Sequence, residues 1–337
     1  LRTILINVRV DDMNQSRRAL TLLGLAAAST LVLAGCASGA AGDDGRLQVV
    51  ASTNVYGQIA SEIGGDFVDV TSIVSSASQD PHSFEPSARD QLIVSKADLV
   101  IENGGGYDAF VDALIASSGT DAPVITAAEL SPAWPDDADD HDADDHDADD
   151  HDEDHDDHDH AHIEGFNEHV WYDVDTVRAV AQQIADELAV LDPDHATEFA
   201  AHAKAFGADL DGLDDALADI DAAHGGEQVF MTEPVPGYLV EDAGLVNVTP
   251  EAFSEAVEEE QDVAPATLLQ ALDLIRGGEV SVLITNAQTG GAETALVVDA
   301  ADEHGIPTIA FSETLPKGET YVSWMQANIE ALSAALA

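Results

Sequence analysis

One cysteine in 337 residues excludes an internal disulfide framework, which needs cysteines in pairs, and a thiolate zinc finger. Basic residues are almost as scarce. Eleven Lys and Arg stand against 66 Asp and Glu, for a formal net charge of −55. From Arg46 to the end the basic set is Arg46, Arg89, Lys96, Arg178, Lys204, Arg276 and Lys317. Phosphate contacts need Lys or Arg to displace counterions, so nucleic-acid binding is excluded as a function class. The apolar run from Leu20 to Cys36 is broken by Gly24, Ser29 and Thr30 and is short for a bilayer span of about 20 residues. Hydrophobic residues make up 45%, enough to bury real cores, and the length suits two domains or one large one.

The run that is too broken to span a membrane has the layout of an export signal. Arg17 and Arg18 precede it and small residues close it. Asp11 and Asp12 suit no such signal, so translation is expected to start at Met13, and residues 1–36 read as signal. Leu33-Ala34-Gly35-Cys36 resembles the bacterial lipoprotein box, in which the cysteine is acylated and becomes the first mature residue. Two or three acyl chains on Cys36 would hold the protein at the cell membrane from the extracytoplasmic side. Ser16-Arg17-Arg18 faintly resembles a twin-arginine signal, but the general secretory route fits better. Residues 37–45 read as a flexible tether.

Beyond the tether, short β-branched runs alternate with helical patterns. Strands are expected at 46–53, 68–74, 98–103 and 123–128. Helices are expected at 55–63, 87–96, 107–117 and 175–189. Asp192-Pro193 reads as a helix start with Asp as N-cap and Pro at N1. From there to Ala223 apolar residues recur three or four apart, from Phe199 through Phe206 and Leu213 to Ile220. A helix this long, roughly 45 Å at 1.5 Å per residue, suggests a strut over 191–224. After it the alternation resumes, with strands at 228–233, 245–250, 280–285 and 307–313 and helices at 235–243, 265–276, 292–304 and 319–336. The fold class expected is α/β: two lobes of mostly parallel sheet flanked by helices, 46–190 and 225–337, joined by one long rigid helix.

Residues 136–162 break this pattern with sixteen acids and seven histidines. Asp-Ala-Asp-Asp-His occurs three times, ending at His141, His146 and His151; His155, His158, His160 and His162 follow more closely. No core can form from this composition, so it reads as a disordered insertion offering weak, exchangeable metal contacts. Most of the acidic residues lie outside it, which points to adaptation to salt or to solubility by repulsion.

In open α/β sheets ligands bind beyond the carboxyl ends of strands. Four metal-capable residues fall there: His82 in Gln79-Asp80-Pro81-His82-Ser83-Phe84-Glu85-Pro86, His169 after the insertion, Glu233 ending QVFMTE, and Glu313 ending PTIAFSE. Two come from each half, so a metal held by all four would lie in the cleft. Singly, each has a plainer reading: His82 as a turn residue beside Pro81, His169 as a core histidine packed by Trp171, the glutamates as helix N-terminal carboxylates.

The stretches STNVYGQIASEIGG, DPHSFEPSARDQLIVSKADLVIENG and EHVWYDVDTVRAVAQQIADEL resemble the zinc- and manganese-specific solute-binding lipoproteins of bacterial ABC importers (the cluster A-I family), over essentially everything from Arg46 to Ala337. The resemblance implies that His82 and His169 are metal ligands. It places Glu233 where that family has histidine in many zinc binders and glutamate in many manganese binders. It places Glu313 where the family usually has aspartate, which leaves Asn286 as an alternative fourth ligand; Asn286 and Trp171 otherwise read as supports for the ligands. It further implies an ABC permease and, through it, an ATPase as partners, with no reaction catalysed and a monomer as the working state. Two carboxylates suit manganese, while the His-rich insertion suits zinc; Zn²⁺ is the expected cargo and Mn²⁺ the alternative. Outside this class, a zinc-dependent hydrolase remains open, though no HExxH motif is present, as does a surface adhesin or metal buffer.

Overall fold

Strands and helices alternate twice along the chain, with the same spatial order each time. The computed structural model describes residues 45–135, 163 and 165–337. Cys36 and the seven histidines of the 136–162 run lie outside the described residues. The first half contains β1 (Leu47–Thr53), α1 (Asn54–Gly64), β2 (Val68–Val74), α2 (Ala88–Val94), β3 (Leu99–Glu102), α3 (Phe110–Ser118), β4 (Val124–Thr126) and α4 (Val174–Leu191). Helix α5 (Ala196–His224) follows. The second half contains β5 (Gln228–Met231), α6 (Gly237–Asp242), β6 (Val246–Asn247), α7 (Glu251–Glu258), α8 (Pro265–Gly277), β7 (Val280–Asn286), α9 (Ala292–His304), β8 (Thr308–Phe311) and α10 (Tyr321–Leu336).

The two sheets run β2-β1-β3-β4 and β6-β5-β7-β8, and every pairing is parallel. In each, the strand order reverses between its first and third strands, β1 and β3 or β5 and β7. Loops at their carboxyl ends splay apart there and leave a crevice. The strand and helix patterns of the sequence therefore produce the expected α/β class.

Three local readings need correction. The run 245–250 keeps only two residues of ladder, because the Thr249 hydroxyl takes over both backbone groups of Met231, at 2.7 and 2.9 Å, and Pro250 then turns the chain. That turn starts α7, which the sequence reading left unassigned; its inward pair is Phe253 and Val257, four apart. At Pro193 the first turn is a 3₁₀ turn, and the α-helix begins at Ala196. The Asp192 carboxylate is drawn to the His195 ring (2.6 Å) instead of capping an amide.

Helix α5 has 29 residues, a length of roughly 44 Å. Its buried stripe is Phe199, Ala203, Phe206, Leu210, Leu213, Leu217 and Ile220, all within the periodic set legible in the sequence. It packs on α1 and α4 from the first half and on α6 and α10 from the second. Arg178 of α4 ties to it by donating to the Gly207 carbonyl at 2.8 Å and to Asp214 at 2.6 Å. One apolar cluster therefore runs from Val49 through Phe206 to Leu332 and belongs to both halves. Hydrogen bonds cross between the halves as well. Tyr321 donates to the Trp171 carbonyl (2.8 Å), Tyr172 to that of Ser312 (2.7 Å), and the Asn54 side chain bonds Leu315 in both directions. Among the described residues no helix is long and apolar enough to cross a membrane.

Candidate metal centre

His82 stands in the turn after β2. The Asp80 carboxylate accepts from the His82 amide at 2.9 Å and from the Ser83 hydroxyl at 2.9 Å, an Asx-type turn that presents the imidazole inward. The ring meets Tyr107 edge to face at 4.8 Å and lies 6.1 Å from the His169 ring.

His169 is buried. Asn167 Oδ1 accepts from both its backbone amide (3.1 Å) and its ring Nδ1 (2.8 Å). The same Asn167 donates its Nδ2 to the Pro234 carbonyl at 3.0 Å, which fixes the amide's orientation. An oxygen acceptor facing Nδ1 makes Nδ1 the protonated nitrogen and leaves the lone pair on Nε2, the tautomer that suits a metal ligand. Trp171 packs its ring 5.1 Å from His169 and 4.6 Å from Tyr107.

Glu233 follows β5 and Glu313 follows β8; both are buried. Asn286, the last residue of β7, donates from the same Nδ2 to Glu233 (2.8 Å) and to Glu313 (2.6 Å). Thr289 also donates to Glu233, Tyr107 donates to Glu313 at 3.1 Å, and the Glu313 amide is held by Gln288 Oε1 at 2.6 Å. Burial pushes the Glu313 carboxyl up to about 7; hydrogen bonds from Asn286 and Tyr107 oppose this, and the charges of Asp80 and Glu233 add to it. Burial raises Glu233 as well, against hydrogen bonds from Thr289 and Asn286. Two buried carboxylates beside one amide form a place where a cation relieves the cost of ionisation.

Tyr107 reaches this pocket from a loop of unusual shape. Gly104, Gly105 and Gly106 all have positive φ, and a Cβ on Gly104 would lie 2.3 Å from Thr126 Cγ2. Asp108 closes the loop by accepting from the Asn103 and Gly104 amides, each at 2.8 Å. This is why the helix expected from 107 begins only at Phe110.

Ligand atoms of His82, His169 and Glu313 all lie within 4.8 Å of one another. Glu233 is not part of that group and stands one amide away, across Asn286. Asn286 spends its amide hydrogens on carboxylates, which is the behaviour of a support. Two imidazoles with a carboxylate suit a divalent transition metal better than calcium or magnesium, which take oxygen shells. Sequence reasoning passed over Tyr107, Asn167, Gln288 and Thr289. Tyr107 entered only as the first residue of the helix expected at 107–117. Asn167 offered one signal, a side-chain amide two residues before a candidate histidine.

Comparison with known proteins agrees with this picture. The family model for zinc-uptake complex component A, periplasmic, matches residues 49–335. The manganese-binding lipoprotein MntA of Halalkalibacterium halodurans is 25% identical over 316 residues, covering 91% of this chain and 95% of that protein. The zinc-binding lipoprotein AdcA of Streptococcus pneumoniae is 24% identical over 303 residues, covering 86% of this chain and 56% of the other. Among solved structures, the periplasmic zinc-binding protein TroA from Treponema pallidum shares the fold with a TM-score of 0.68 at 18% identity, over 87% of this chain and 100% of that one. A two-sheet α/β fold and a family match over most of the chain lead to one conclusion: this chain belongs to the zinc-uptake complex component A family, the metal-binding components of ABC importers.

Proposed function

We propose that this chain captures Zn²⁺ between its two halves and delivers it to an ABC permease, with ATP hydrolysis on a partner subunit driving uptake. The observation that carries this reading is the convergence of His82, His169 and Glu313 within 4.8 Å, from the turn after β2, the segment leading into α4 and the end of β8. Two imidazoles favour zinc, and the second carboxylate, Glu233, is already engaged by Asn286 and Thr289. Manganese is the second reading. It is favoured by the position of Glu233 one amide away, since its release would add an oxygen ligand, and by the manganese-binding name of MntA. Competitive titration with both metals decides between them. Zinc is expected to displace manganese at equimolar concentration. Manganese holding the site against zinc would reverse the choice of cargo and leave capture intact.

The same proposal places the protein outside the cytoplasm, tethered through a lipid on Cys36, with the loop histidines as weak accessory sites. Its support is the lipoprotein-box sequence Leu33-Ala34-Gly35-Cys36 and the lipoprotein names of the relatives. Cys36→Ala is expected to move the full chain from the membrane fraction to the soluble fraction. Unchanged fractionation would refute the anchor.

A further inference from the structure

We propose a second metal position, an outer station formed by His82, Glu168 and Glu258, where the cation is first held before it passes to His169 and Glu313. The proposal rests on the metal-capture reading and deepens it. Ligand atoms of these three residues also lie within 4.8 Å of one another. Donors held tetrahedrally about 2.0–2.2 Å from an ion stand roughly 3.3–3.6 Å apart, so small side-chain adjustments close this group on a cation. The three come from separate places in the chain: the turn after β2, the segment just before His169, and the last residue of α7. An imidazole is among them, which sets the group apart from an acidic surface patch.

His82 belongs to both groups, and its ring divides between them. Nδ1 lies 3.5 Å from Glu168 Oε1, whereas Nε2 lies 4.0 Å from Glu313 Oε2. A neutral imidazole has one lone pair, so it serves one group at a time. The cation therefore passes inward by leaving one side of the ring before it is taken up on the other. Glu258 Oε1 also stands 3.8 Å from His169 Nδ1, so the two stations are contiguous.

The donor sets differ in a way that gives direction. The outer one has two carboxylates and one imidazole, and Glu258 keeps some exposure to solvent. The inner one has two imidazoles and one carboxylate, with His169 and Glu313 buried. For a borderline-soft cation such as zinc the second set binds more tightly, and the first exchanges faster. The outer station opens on a cavity of about 530 Å³ lined by Glu168, Glu258, Glu251, Glu255 and Glu259. An acidic cavity concentrates cations and speeds their arrival.

Two measurements on the full chain test the station. First, crystals of His169→Ala grown with Zn²⁺ alone should show anomalous zinc density between His82, Glu168 and Glu258; density absent from that position overturns the proposal. Second, zinc binding followed by stopped-flow tryptophan fluorescence should be roughly tenfold slower in Glu258→Gln, in association and dissociation alike, with affinity changed less than about threefold. Unchanged rates overturn the station, and so does an affinity loss as large as the rate loss, which would make Glu258 a support of the inner group. The kinetic arm stands if His169→Ala does not fold. Wild-type crystals with zinc test the inner group separately: density among His82, His169 and Glu313 keeps the capture reading even where the outer station fails.

Discussion

Replacing His169 with alanine is expected to weaken zinc binding by more than roughly 100-fold, beyond the 10- to 100-fold that follows loss of a supporting residue. His169 is buried, its tautomer is set by Asn167, and its ring is braced by Trp171 and Tyr107. Its removal deletes a nitrogen donor whose orientation was already determined. The oxygen donors of Glu313 and Glu233 remain, so manganese affinity should fall less than zinc affinity. Calorimetric titration of the variant with each metal provides the readout. A tight zinc site that survives in His169→Ala, with the protein folded, would refute the site.

Acidification is expected to lower zinc affinity by up to roughly tenfold for each pH unit below about 7. Glu313, raised to about 7 by burial, holds a proton there that the cation must displace. Titrations in buffers of different ionisation enthalpy should count about one proton released per zinc at pH 6 and fewer at pH 8. The same shift has a consequence for the metal-depleted protein. The folded state keeps its Glu313 proton up to about 7, while the unfolded carboxyl loses its own near the ordinary 4.5. Between those values the folded form binds more protons, so stability falls as pH rises, by about 3 kcal/mol across the window. Thermal unfolding with a chelator should show that decline between pH 4.5 and 7, with Glu102, raised by burial to about 8, adding in the same sense, and zinc should remove the Glu313 part. A melting temperature that rises with pH across this window would contradict the raised carboxyl.

Much of this molecule can be read along the chain. The α5 stripe follows from side chains three and four apart. The strands follow from short β-branched runs, because a parallel sheet covered by helices needs apolar side chains on both faces. His82 and His169 stand out because they sit in turns at strand ends or just past the acidic run. The parts that escaped are those where side chains override local pattern. Thr249 replaces ladder bonds of β6, and Asp192 turns to His195 instead of capping. Glu258 was invisible as a candidate because α7 begins only after that shortened strand. The two hydrogen bonds donated by Asn286 join residues 53 and 27 positions away, and no spacing rule expresses the meeting of three strand ends.

The shared core has a consequence for how the protein is made. Tyr321, Trp324, Met325, Ile329 and Leu332 of α10 are buried in the same cluster as Val49, Val55 and Ile59. Contacts of such sequence separation form late, because the chain between them must be closed first. Helix α10 is also the last described element to be synthesised. Until it arrives, α5 presents one side of its stripe uncovered, and the shared part of the interior stays open. Completion of the core therefore waits for the last described helix, whatever the first half has already built.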